Sequence, residues 1–400
     1  LYETEKVEVA LKAKYCEQFK KWLLNPLDKQ LTENIMAISD RTPSSDIAQH
    51  VNHIVGRIRL LQARLQDKDI EALKSSARSS YDTLALIVEK KLSPEIRENY
   101  ALLYLHFLAW QKDKEGLTQE MKSLQSSLRH LVASKASDLR WLVDWVNENP
   151  SLSRLTFASF WGGSLDSAGE KSVPPAFTLH GKEQIEGFLK DIESALPDPL
   201  LIAGQTREFR EWYKRSYLSA WYGFASSFPK GTERLKGEAE WKQIGAKMAT
   251  EQGPYFALLG RMASELQPFA LEEASADWLK VVYDFHFATL QAQLGRLKGP
   301  DKTGTIDKAA DTAMKIIAEI EKKLGKKETK DPRAFSVAAK SLERYQGDLA
   351  QIVPITVSRK IAYEMAAALF VEERFSSKSP FFEAQTALDT LRSAIPRKDT

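Results

Sequence analysis

Apolar positions recur along most of this chain at intervals of three and four residues, the spacing that gathers side chains on one face of an α-helix. Val7, Leu11, Tyr15, Phe19, Trp22 and Leu23 form the first such stripe. Asn25-Pro26 interrupts it. Proline is tolerated at the start of a new helix, where its missing N–H would be unpaired anyway. Ile47, Val51, Ile54, Ile58, Leu61 and Leu65 form a second stripe behind the cap-type residues Ser44 and Ser45, and Ile70, Leu73, Ala77, Tyr81, Leu84 and Val88 form a third. Ser93-Pro94 reads as N-cap and first residue of a helix reaching Trp110, apolar on most sides and therefore central. Pro332 and Pro380 mark two further helix starts. Strand-like runs are scarce: Phe177–Leu179 and Ile352–Val357 are the best, and Pro354 interrupts the second. The pattern predicts an all-α fold, an elongated multi-helix module with little or no strand.

Periodicity stops between Gly162 and Pro175, where Gly, Ser and Pro cluster. The expected organisation is an N-terminal helical domain over 1–161, an exposed hinge over 162–182 and a C-terminal helical domain over 183–400. A weaker sub-boundary falls at Lys298–Thr305. No repeat of fixed period recurs, so a regular solenoid is not expected.

Composition narrows the picture only a little. A chain of 400 residues with 43% hydrophobic and 28% charged residues is that of a folded protein rather than a disordered one. Lysine and arginine number 57 against 54 aspartates and glutamates, and this near balance gives no sign of a nucleic-acid partner. One cysteine, Cys16, excludes an internal disulfide; set between Tyr15 and Phe19 on the first stripe, it reads as a packed thiol. The longest uncharged run, Ser216 to Pro229, is shorter than the roughly 20 residues a membrane span needs. A start at Leu1 with no basic-then-apolar leader reads as a processed chain or a piece of a longer one.

Candidate chemistry is thin. Gly299-x4-Gly304 has the glycine spacing of a phosphate-binding loop, but Thr305 and Ile306 stand where the lysine and the Ser/Thr belong. Gly162-Gly163-Ser164 begins like a nucleophile elbow, yet Asp166 takes the closing glycine's place. His50 and His53 share a helix face without a third ligand at metal-binding spacing. Five lysines over Lys322–Lys330 come without an interleaved aromatic residue and read as a solvated turn. No catalytic, cofactor-binding or metal-binding residue is assigned, and no enzyme activity, nucleic acid or small-molecule substrate is expected.

The densest signal is aromatic. Trp141, Trp145, Trp161, Phe177, Tyr213, Tyr217, Trp221 and Phe224 fall within one block, several at helical spacing. Rings so placed serve as helix core, and Trp and Tyr also serve as interface anchors. Leu139-Arg-Trp-Leu-Val-Asp-Trp145 followed by Leu155-Thr-Phe-Ala-Ser-Phe-Trp161 resembles the Trp-Leu-rich helix and aromatic stretch of the IcmF/TssM family. Val173-Pro174-x-x-Phe177-Thr178-x-x-Gly181 resembles that family's turn, and Tyr213-x3-Tyr217-x3-Trp221-x2-Phe224 its aromatic helix. Gly253-Pro254-x-x-x-Leu258-Leu259 is similar to a helix start that follows. These four signatures stand in the family's order.

The resemblance implies the helical periplasmic region of a bacterial inner-membrane protein that helps build the envelope-spanning core complex of a secretion system, type VI or its type IVB relative. It implies as partners other copies of the same protein, an inner-membrane protein of the DotU/TssL type and an outer-membrane lipoprotein of the TssJ type. In that family the lipoprotein docks on a β-rich domain outside this segment. A cytosolic helical adaptor or tethering protein is the alternative reading.

Overall fold

A computed structural model describes residues 2–39, 41–69, 71, 73, 94–135, 138–165, 170–269, 277–297, 332–372 and 379–394. In chain order its helices are α1 (Tyr2–Phe19), α2 (Asn25–Ala37), α3 (Ser44–Leu65), α4 (Pro94–Trp110), α5 (Lys114–His130), α6 (Trp141–Asn147), α7 (Ala158–Trp161) and α8 (Leu179–Ala195). They continue as α9 (Ala203–Ser227), α10 (Glu238–Lys247), α11 (Pro254–Leu266), α12 (Asp277–Leu297), α13 (Pro332–Val357), α14 (Arg359–Glu372) and α15 (Pro380–Ala394). Among the described residues the one extended pairing is an isolated antiparallel bridge between Leu155 and Val173. The fold is all-α, as the periodicity predicts. Most of the third apolar stripe, the Lys298–Thr305 boundary with Gly299 and Gly304, and the Lys322–Lys330 run lie outside the described residues.

The chain forms two compact units that interleave in sequence. One comprises Leu1–Ser153 and Pro174–Ser216, the other Arg154–Val173 and Tyr217–Thr400. This differs from two consecutive domains split by a hinge at 162–182, and the cause is local. Leu155 and Val173 exchange both backbone hydrogen bonds, at 3.0 and 2.9 Å, closing the Gly/Ser-rich segment at its base. The Glu170 carboxylate accepts the Phe157 N–H and pairs with the buried Arg234. Arg234 Nε donates to the Gly162 carbonyl at 2.9 Å, and the Leu165 N–H donates to the Arg234 carbonyl at 3.2 Å. Gly163, at φ +79°, lies so close to that carbonyl that a β-carbon would collide with it. Gly162 and Gly163 both take positive φ, Gly163 alone at a tight approach, and the described part of this segment is laced down.

In the first unit, α3 is the central helix. Ile47, Ala48, Val51, Ile54, Val55, Ile58, Leu60, Leu61 and Ala63 are all buried, so most of its circumference is covered and a strip through Asn52 and Arg59 is half-open. α5, α6 and α8 pack around it, and α4 lies against both α3 and α1. α4 buries Ala101, Tyr104, Leu105, Phe107 and Leu108 but leaves Leu103 open, which makes it a flank rather than the centre. Local sequence sets the joints. A π-turn over Lys20–Leu24 carries α1 into α2 without the break expected at Asn25-Pro26, because the Asn25 N–H reaches back to the Lys20 carbonyl. That wider turn suits Pro26, which has no N–H to contribute. α3 starts at Ser44 behind Pro43 with no side-chain cap, and the Ser44 hydroxyl donates instead to Asp144 at 3.2 Å. Asp113 does cap α5, accepting the Gly116 N–H at 2.9 Å.

In the second unit, Phe157, Phe160 and Trp161 surround Phe224 and Phe228, with Tyr255 of α11 edge-on to Trp161 at 5.5 Å. Further along, Ala288 of α12, Ala338, Ala339 and Leu342 of α13 and Leu391 of α15 make a small-residue core, flanked by Phe256 and Phe285. The Ile352–Val357 run is helical, not strand. Pro354 lies inside α13 near its C-terminal end, where it removes the N–H that would reach the carbonyl four residues back, and the helix continues past it with the Pro354 carbonyl accepting the Ser358 N–H at 3.1 Å. Pro332, Pro380 and Pro254 each open a helix, as prolines at first turns do.

Gly231 lies directly beneath the indole of the buried Trp161, and a β-carbon there would overlap the ring. Gly231→Ala is expected to lower stability by about 1–3 kcal/mol through overpacking. Gly187, in mid α8 with open space around it, should instead gain up to about 1 kcal/mol as alanine. Thermal denaturation of the two variants checks the contrast; equal midpoints would refute the contact.

Candidate functional site

All the aromatic residues singled out from the sequence are buried except Trp145 and Phe177, which are half-buried. In the first unit Trp141 meets Phe188 edge-on at 5.7 Å and Trp145 leans on the same ring at 4.9 Å. Arg140 stacks its guanidinium over Trp212, 4.9 Å from the ring centre. Phe177 packs against Tyr213 at 5.8 Å, and the Tyr213 hydroxyl donates to the Ala176 carbonyl. In the second unit Tyr217 donates to the Glu265 carbonyl at 3.0 Å and lies against Phe269 at 4.9 Å. Trp221 and Phe224 are fully buried and meet edge to face at 6.3 Å. These rings are core. None of the fully buried ones presents a face to a partner.

The Val173–Gly181 turn is held by side chains bonded to its backbone. Thr178 caps α8, its hydroxyl accepting the Gly181 N–H at 3.2 Å and donating to the Pro175 carbonyl at 2.7 Å. Gly181 sits where that Pro175 carbonyl leaves no room for a β-carbon. Asn147, at the end of α6, accepts the Ala176 N–H at 2.9 Å. Both backbone groups of Ala176 are thus held by side chains from α6 and α9. The turn is a clasp joining three helices of the first unit.

A second feature of that unit was hidden in the sequence. Arg57 of α3 is 2% exposed, yet it carries a guanidinium in the middle of a helix bundle. Asp28 of α2 receives both of its terminal nitrogens, and Glu120 of α5 accepts from one of them at 2.7 Å. Tyr104 of α4 lies under the guanidinium, 5.5 Å from ring centre, and donates its hydroxyl to the same Glu120 oxygen at 3.0 Å. Burial works against the Arg57 charge, but Tyr104, Asp28 and Glu120 together hold its pKa well above the ordinary value. Burial and then the Glu120 carboxylate push Tyr104 far up, and burial raises the neighbouring Tyr100 to about 12. Asp28 and Glu120 also line a groove of about 330 Å³ between α2 and α5, with Lys20, Asn25, Gln119 and Ser123. The signal was present. Arg57 stands three residues after Ile54 and four before Leu61, on the apolar stripe itself.

Other candidates read from the sequence resolve simply. His50 and His53 both lie on α3, and His50 Nδ1 is spent on the Asp46 carbonyl of its own helix at 2.7 Å. Among the described residues no three His, Cys, Asp or Glu side chains converge to hold a metal ion. Cys16 is buried with its thiol toward the Phe107 carbonyl at 3.7 Å, and burial pushes its pKa up, which disfavours the reactive thiolate. Among the described residues no helix is long and apolar enough to cross a membrane. No protein-family model matches the chain, and no curated protein or solved structure matches it either.

Removing one partner from a buried ion cluster strands the rest, so Arg57→Met is expected to cost about 3–5 kcal/mol in urea unfolding. A loss under about 1 kcal/mol would mean the cluster is not buried as described. Alkali probes the same place. Tyr100 has a folded pKa of about 12, raised above the unfolded value near 10, so it favours the fold below pH 10 and that contribution is lost as pH rises through about 12. Tyr104, also raised well above its ordinary value, acts in the same direction. Stability should fall between those limits, and the Tyr100→Phe/Tyr104→Phe pair should flatten that fall.

Proposed function

We propose that this chain is a structural segment of an IcmF/TssM-like protein, a helical strut in the periplasmic part of the envelope-spanning core complex of a bacterial secretion system, type VI in kind. One observation carries the reading. The residues that bear the resemblance are the ones that build the clasp and the aromatic cores. Trp141 and Trp145 seat Phe188, Thr178 and Gly181 shape the clasp, Phe177 seats Tyr213, and Trp161 meets Tyr255 beside the Gly253-Pro254 helix start. A motif set used wholly for packing suits a protein whose work is to hold a shape.

On this reading the strut has no catalytic residue. Its partners are other copies of the same protein and proteins of the DotU/TssL and TssJ types. Weak contacts made by each copy add up through multiplicity and membrane anchoring in the assembly.

Compartment is the sharpest test. Leu200 is 78% exposed, in the turn before α9, while Cys16 is buried and adds little background. In the producing bacterium, a Leu200→Cys variant of the whole protein should react with a membrane-impermeant maleimide once the outer membrane alone is permeabilised. Reaction only after the inner membrane is lysed would overturn the periplasmic reading and favour the cytosolic adaptor.

A further inference from the structure

We infer that α14 (Arg359–Glu372) is a self-association surface, pairing antiparallel with the same helix of a second copy of this chain. None of its residues with a described exposure is buried. Tyr363 is 76% and Phe370 89% exposed, with Ile361 also open. Tyr363 and Phe370 stand seven residues apart, two turns along one face. Between them lie the exposed Ala366 and Ala367. Ser358 caps the helix, accepting the Ile361 N–H at 3.4 Å, and an Arg359–Glu238 ion pair at 2.8 Å ties its start to its own unit. A helix of 14 residues is marginal in water unless one face is packed. Ala362 and Met365 are half-buried on one face of this helix, whereas the face through Tyr363, Ala366, Ala367 and Phe370 is exposed.

Charge order names the occupant. The sequence opens the helix with Arg359 and Lys360 and closes it with Glu372. That order opposes the helix dipole, which favours acids at the N-terminus and bases at the C-terminus. An antiparallel partner of the same sequence reverses the mismatch, setting the acidic end of each helix beside the basic end of the other. The register that does this brings Tyr363 of one copy against Phe370 of the other. It also crosses the helices at Ala366 and Ala367, where small side chains let backbones approach. A parallel pair would stack like charges at both ends. A helix of this length spans about 21 Å. Two such faces bury less than the roughly 1,000 Å² of a stable interface, so the pair is weak and concentration-dependent. This inference stands apart from the secretion-system reading and does not need it.

The test uses the full chain. Sedimentation velocity should show a monomer–dimer equilibrium that shifts with concentration. Phe370→Glu should weaken it about tenfold, with an unchanged circular dichroism spectrum because the ring is exposed. Under mild oxidation Ala367→Cys should form an intermolecular disulfide faster than Leu200→Cys does. Tyr363→Cys should crosslink to Phe370→Cys in a mixture but not to itself, since two copies of residue 363 fall about 10 Å apart along the antiparallel pair. Three results would overturn the inference: a monomer at every concentration with Ala367→Cys no faster than Leu200→Cys; self-crosslinking of Tyr363→Cys; or a monomer that binds phosphatidylglycerol vesicles through Phe370, which would make this face a lipid surface.

Discussion

A single buried guanidinium organises the first unit. Arg57 draws one group from each of three other helices to itself: Asp28 from α2, Tyr104 from α4 and Glu120 from α5. A charge in that position is costly unless it is paired and hydrogen-bonded. Sliding any one of the four helices by a residue would turn its contribution away and leave the charge short of a partner. Apolar packing around α3 is more forgiving, since Ile and Leu accept neighbours from many directions. The hydrophobic stripe brings the helices together, and the ion cluster selects their register. The groove beside it is a by-product of the same geometry, with its carboxylates already engaged by Arg57.

The aromatic block works by a different rule. Its rings fill volume, and its polar tips are spent on backbone. Tyr213 donates to the Ala176 carbonyl and Tyr217 to the Glu265 carbonyl. A buried hydroxyl that finds a carbonyl avoids the desolvation penalty and adds direction to an otherwise greasy contact. Each tyrosine is therefore both a filler and a pin. The proposed strut function draws on this double use, because shape held by many pins resists shear better than shape held by volume alone.

Much of the fold was legible in the chain. The stripes through Val51, Ile54 and Ile58 lie on buried faces, and Pro94, Pro332 and Pro380 each stand at a helix start. What was not legible depends on partners distant in sequence. The Gly162–Pro175 segment has the composition of an open hinge, but Arg234, about 60 residues on, takes its Glu170 carboxylate and its Gly162 carbonyl. Composition cannot register a contact at that range. Ser44 looks like a cap until Asp144 claims its hydroxyl. Asn25-Pro26 looks like a break because proline ends an α-ladder, whereas a π-turn absorbs it. Of the candidate site, the rings were identified from spacing, but whether each faced core or partner is a matter of tertiary packing. Arg57 has no partner nearby in sequence to mark it as a hub, although a charge placed on an apolar stripe is itself the anomaly that announces it.

The clasp around Ala176 bears on how this sequence can drift. Asn147, Tyr213 and Thr178 reach for the main-chain atoms of Pro175 and Ala176, not for their side chains. Main-chain carbonyls are common to every residue type, but both gripped positions are buried, Ala176 completely, so they have latitude only among small side chains, while the residues that grip them have less. Divergent copies would then keep an asparagine, a threonine, a glycine and a tyrosine scattered over more than 60 positions, around a buried pair confined to small residues. Such a pattern is faint in any local window and strong only when the four are read jointly, so kinship through this clasp can outlast similarity along the chain.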